Sequence, residues 1–150
     1  MKVQFEDTQP ARASAETLFD VLTDYTSYPS FNSAIVGMTV LRKDEDGAEF
    51  LTDRKSLIGK QARVFDRYER NGDLAIERTY AGIDGSSTWT VCAVDDASST
   101  LTIEGTMSVG LLRGLMMKLM LKRVLYKMDF EPFIEEAERR AAEMGLVQAA

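Results

Sequence analysis

The chain has 150 residues, of which 45% are hydrophobic and 28% charged, a length and balance that suit one ordinary globular domain and exclude a disordered one. It has no histidine and one cysteine, Cys92, which rules out Ser-His and Cys-His nucleophile pairs, an internal disulfide and a thiolate zinc site. The net charge of -6 argues against nucleic acid as a partner, and without a long apolar run or signal-peptide pattern a cytoplasmic protein is expected.

Residues 2–8 alternate apolar and polar, which predicts a first strand ended by Pro10. Ser14 is placed to cap a helix carrying Leu18, Phe19 and Leu22 at helical spacing, with Glu16 in its first turn. A short second helix or turn follows around Pro29 and Phe31. From Ile35 to Val109 strand-like segments alternate with turn signals: Asp46-Gly47, Gly59, Asn71-Gly72, Asp84-Gly85 and the polar run Asp95 to Ser99. They predict strands over about 36–44, 48–57, 60–70, 73–82, 86–94 and 99–109. Connections this short cannot join parallel neighbours, so the sheet is antiparallel. A helix is predicted from Leu111 to about Met144, kinked near 128–132 because Pro132 lies inside it. The sum is an α+β domain over residues 1–150: a seven-stranded antiparallel sheet whose apolar face only the last helix is long enough to cover.

The run Pro10-Ala-Arg-Ala-Ser-Ala-Glu-Thr-Leu-Phe-Asp-Val-Leu-Thr-Asp24, then Tyr28-Pro29, then the meander and terminal helix resemble the START-like superfamily of helix-grip proteins. The likeness is nearest to its polyketide cyclase/dehydrase and coenzyme-Q-binding-like branch and spans the whole chain. One departure is Phe31, where many relatives have Trp. The resemblance implies a helix-grip fold: a curved sheet wrapped around a long C-terminal helix, with two short helices after the first strand. It also implies an apolar ligand held between sheet and helix, such as a lipid, sterol, quinone or polyketide. A few members are enzymes.

Several residues are candidates for that cavity. A helical stripe of Leu112, Leu115, Leu119, Tyr126, Phe130, Phe133 and Ala137 should face the sheet, with Met116 beside it, part lining the cavity and part closing the core. On one strand Leu74, Ile76, Arg78 and Tyr80 share a face, so Arg78 and Tyr80 point inward if Leu74 and Ile76 do. A guanidinium beside a phenol could orient a ligand's carboxylate, phosphate or carbonyl; the alternatives are a β-bulge that shifts the parity, or a pairing of Arg78 with Glu77 or a nearby acid at the surface. Trp89 falls on the inner face of the next strand, as core or ligand wall. The charged cluster Asp53, Arg54, Lys55 and the distant Glu104 present no evident acid pair, so no catalytic residue, cofactor or metal is expected.

The expected function is binding of a hydrophobic small molecule or lipid, with Arg78, Tyr80, Trp89, Leu112, Leu115, Met116 and Leu119 in the cavity wall. Alternatives are a cyclase, aromatase or dehydratase acting on a polyketide-like substrate, which would need polar side chains converging in the cavity, and a protein-interaction module. A second apolar stripe, Met117, Met120, Leu121, Val124, Leu125 and Met128, lies in a stretch from Gly105 to Met128 that has no acids and five basic residues. It suggests a surface for a homodimer or an anionic membrane.

Overall fold

The computed structural model describes residues 2–54, 61–82, 84–108, 110, 123 and 126–149. Strand β1 (Lys2–Ala11) leads into helix α1 (Ala15–Thr23), a single 3-10 turn (Tyr25–Ser27) and the short helix α2 (Tyr28–Phe31). Strands β2 (Ile35–Lys43), β3 (Gly47–Arg54), β4 (Gln61–Glu69), β5 (Leu74–Tyr80), β6 (Gly85–Asp95) and β7 (Ser98–Ser108) follow. The chain ends in a π-helical turn (Tyr126–Phe130) and helix α3 (Glu131–Ala149). The strands form one antiparallel sheet in the order β1-β7-β6-β5-β4-β3-β2, so β2 to β7 pair in sequence order as a meander and β1 adds to the far edge beside β7.

Local chemistry explains the ends. Ser14 caps α1 by accepting the Thr17 amide at 3.1 Å, as its place before the apolar run predicts. Pro10 does not end β1, which continues to Ala11 with Pro10 opposite Thr100. β1 is an edge strand, where a missing N–H leaves no ladder bond unmade. Gly72 adopts a φ of 114°, as its turn requires. Gly47 is glycine for a different reason: a side chain there would run into the carbonyl oxygen of Asp66 on β4.

Strand alternation buries Val64, Ile76, Trp89, Val91, Leu101 and Ile103 on the concave face, where Leu18, Phe19 and Leu22 of α1 and Phe133 and Ala137 of α3 meet them. The predicted kink takes the form of the π turn. Proline at 132 cannot donate to the carbonyl of residue 128 and its ring crowds that group, and a wider turn relieves the clash. The side chain of Asn32, 3% exposed, takes the missing donor's place: its Nδ2 bonds Met128 O at 3.0 Å. The turn also shifts the helical phase. Phe130, Phe133 and Ala137 are buried, but Tyr126, placed on the same stripe by a regular helical period, is 40% exposed.

Candidate functional site

Two groups of polar side chains occupy the concave face. The first is centred on Arg78, which β5 directs inward together with Ile76, leaving Arg78 2% exposed. Asp66 stands directly opposite on β4, and cross-strand partners share a face. The pair is bidentate: Arg78 Nε to Asp66 Oδ1 and Nη2 to Oδ2, both 2.8 Å. Tyr28 accepts a second bond from Nη2 at 3.2 Å and donates to the carbonyl of Leu22. The Tyr25 hydroxyl donates to Asp66 Oδ2 at 2.7 Å and meets the Tyr68 hydroxyl at 2.6 Å. The guanidinium carbon also lies 4.8 Å from the centre of the Trp89 ring.

Burial works against the charge on Arg78, but Asp66 and Tyr28 more than restore it and hold the guanidinium charged well above its ordinary range. Burial next to Asp66 pushes the Tyr25 phenol up. This cluster binds itself. Its Coulombic and hydrogen-bonding capacity is turned inward, which is what a buried ion pair needs to offset desolvation.

The second group surrounds a cavity of about 120 Å3 between the π turn and the sheet, lined by Phe5, Arg54, Tyr80, Gly85, Ser86, Ser87, Trp89, Ile103, Thr106, Met107 and Asp129. That volume approaches the roughly 150 Å3 of an engineered apolar cavity that accepts benzene. Arg54 enters from β3, where Phe50 and Thr52 are buried on the same face. Thr52 Oγ1 is buried without a hydrogen-bond partner among the described residues. Asp129 enters from the π turn. Its carboxyl is pushed up by burial, which Arg54 and Arg78 only partly oppose. Ser87 Oγ accepts the Trp89 indole N–H at 3.1 Å, leaving the hydroxyl proton to donate elsewhere.

Of the residues expected in the cavity wall, Tyr80 and Trp89 line this cavity. Arg78 lies behind Trp89 in the paired cluster. Leu112, Leu115, Met116 and Leu119 lie outside the described residues, as do Met117, Met120, Leu121, Val124 and Leu125. Arg54 and Asp129 were not anticipated there. The signal for Arg54 was strand parity with Phe50; for Asp129 it was being the first acid after Glu104, immediately before the stripe residue Phe130.

A wider depression of about 480 Å3 lies on the outer face around Gly105. Its walls are polar, and Glu6 and Glu104 stand directly opposite each other in it, so it offers an apolar ligand little. Among the described residues no group of three or more acidic or cysteine side chains is placed to hold a metal ion, and no helix is long and apolar enough to cross a membrane.

Residues 2–138 match the family described as polyketide cyclase / dehydrase and lipid transport. The chain belongs to that family. A START superfamily protein from Mycobacterium smegmatis is similar in structure with a TM-score of 0.69 and 18% identity, over 94% of this chain and 98% of that one. The Zhui aromatase/cyclase from Streptomyces sp. R1128 superposes with a TM-score of 0.70 and 17% identity, over 97% and 99% of the two chains. A STAR-related lipid transfer protein from Xanthomonas axonopodis gives 0.72 and 11%, over 89% and 85%. These likenesses show the helix-grip fold. No curated protein matches the chain.

Proposed function

We propose that residues 1–150 act as a single cytoplasmic domain that binds a hydrophobic small molecule or lipid between the concave sheet face and the C-terminal helix. The observation that carries this is the cavity itself, where Phe5, Trp89, Ile103 and Met107 supply apolar wall and a few polar groups gather at Arg54, Ser87 and Asp129, the mixture expected of a small-molecule site. In this proposal Tyr80 and Trp89 touch the ligand and Leu112, Leu115, Met116 and Leu119 extend the wall. Arg78 either joins them or, as its pairing with Asp66 favours, stiffens the wall from behind.

The test uses the single tryptophan. Titration with the neutral dye Nile red should quench or shift Trp89 emission saturably, and a saturating dye signal with unchanged Trp89 emission would remove Trp89 from the wall. A second reading, a cyclase- or dehydratase-type enzyme, is favoured by one observation: a carboxyl whose pKa burial raises and an arginine line the same cavity, a combination suited to donating a proton and stabilising an oxyanion. Turnover of a polyketide-like substrate lost in Asp129→Asn would establish it. The basic, apolar stretch containing Met117, Met120, Leu121, Val124 and Leu125 is proposed as a homodimer or membrane contact. Changing Met120 and Leu121 to Glu should yield a folded monomer in sedimentation, and a wild type that is monomeric and ignores anionic vesicles would remove both contacts.

A further inference from the structure

Arg54 and Asp129 line one cavity from two different elements, yet no ion pair joins them to each other within 4.0 Å. An arginine and an aspartate on an apolar face ordinarily close on one another, as Arg78 and Asp66 do at 2.8 Å. Here the space between them stays open. Among the described residues the charges facing it are few. Arg54 comes from β3; Arg78 of β5 is neutralised by Asp66; Tyr80 completes the β5 side; β1, β6 and β7 contribute only uncharged lining residues. The charged residues next to Asp129 in sequence are Lys127 on the turn and Glu131 at the start of α3. Burial favours the neutral carboxyl of Asp129, and the Ser87 hydroxyl already accepts the Trp89 N–H. Among the described residues the polar end of the cavity therefore gathers one cation not paired within the cavity, Arg54, the Ser87 hydroxyl and a single carboxyl, Asp129, whose charge burial disfavours.

We infer that the cavity takes an amphiphilic anion, its charged oxygens set between the Arg54 guanidinium and the Asp129 carboxyl and its apolar body against Trp89 and Ile103. This rests on the ligand-binding reading above and names the class of ligand. Binding is proton-linked: an ionised Asp129 takes one proton from solvent, and its O–H then donates to the anionic head. Affinity for such a ligand falls as pH rises, because an ionised carboxyl would face the head with like charge.

The test is displacement of Nile red from the full chain by three ten-carbon amphiphiles kept below micelle formation: decane-1-sulfonate, which stays anionic throughout, decanol and decyltrimethylammonium. In acid the sulfonate should displace the dye at a concentration about tenfold or more below that of decanol, the scale of one charge-assisted bond, with the preference shrinking as pH rises through the raised pKa of Asp129. Arg54→Met should bring the sulfonate to the level of decanol. Asp129→Asn should keep tight sulfonate binding and abolish its pH dependence. Equal displacement by sulfonate and decanol, or tighter binding of the cation, overturns the anion assignment while leaving an apolar-ligand site standing. Failure of Nile red and every amphiphile to bind overturns both. The wild-type pH series decides the matter even if a variant does not fold.

Discussion

The concave face carries two arginine–aspartate combinations, and they are put to opposite uses. Arg78 and Asp66 stand directly opposite on adjacent strands, so the register of the sheet brings their charges into contact before anything else can claim them. Arg54 and Asp129 come from a strand end and a helical turn and flank a cavity. The first combination is enclosed by Tyr25 and Tyr28 and is 2–3% exposed; the second stays half-buried beside open volume. Residue type and burial alone do not separate a structural ion pair from a binding site. What separates them is whether the backbone makes the partners neighbours.

The comparison breaks most sharply at Arg78. Arg78→Met leaves Asp66 buried with its principal counter-charge gone, and loss of one member of a buried pair costs about 3–5 kcal/mol. Urea unfolding should show that loss as a lower midpoint, with ligand affinity of the folded fraction retained. A variant that unfolds like wild type but no longer binds would place Arg78 in the site and reverse the contrast.

Next in size is the bond that shapes the π turn. Asn32→Leu removes the donor to Met128 O, leaving a half-buried carbonyl without the partner that Pro132 cannot replace, at a cost towards the lower end of about 1–3 kcal/mol. Because Met128 adjoins Asp129, the same variant should also weaken binding of an anionic amphiphile. Loss of stability with unchanged affinity would show that Asp129 holds its place without Asn32.

Tyr25→Phe tests the closed cluster more gently. Its hydroxyl donates to the Asp66 carboxylate at 2.7 Å, and a bond to a charged group contributes about 1.5–3 kcal/mol. Asp66 retains both bonds from Arg78, so the loss should fall near the lower end of that range in urea unfolding, with ligand binding unaffected.

Much of the fold was legible because each signal is local. The turn at Asn71-Gly72, the alternation of β5 and the cap at Ser14 depend on residues close in sequence, and the antiparallel order follows from short loops. The inward direction of Arg78 followed from the same alternation. Its partner did not, since Asp66 is separated from it by a strand register that no local pattern declares. Asp129 was hidden by a different cause: the π turn changes the helical phase, so a regular period misplaces Tyr126 and cannot tell where Asp129 will point.

The smallest expected effect concerns Asp129 itself, and its sign separates the two combinations. Burial raises the carboxyl above its ordinary value of 3.8, so the folded state holds this proton more tightly than the unfolded chain. The stability linked to it is fully present below that value and is lost as pH rises through the raised pKa of the folded state. Above it, ionised Asp129 is a charge kept among apolar walls with Arg54 at a distance. Asp129→Asn, which keeps the shape and removes the charge, should therefore leave stability near wild type in acid and raise it modestly at neutral pH. Thermal unfolding of both proteins across this range measures the difference. Asp66→Asn should instead lose stability, because its charge is paired with Arg78. If Asp129→Asn instead loses stability at neutral pH, its carboxylate is holding a partner as Asp66 does, and the cavity is not the anion-seeking end that its donors describe.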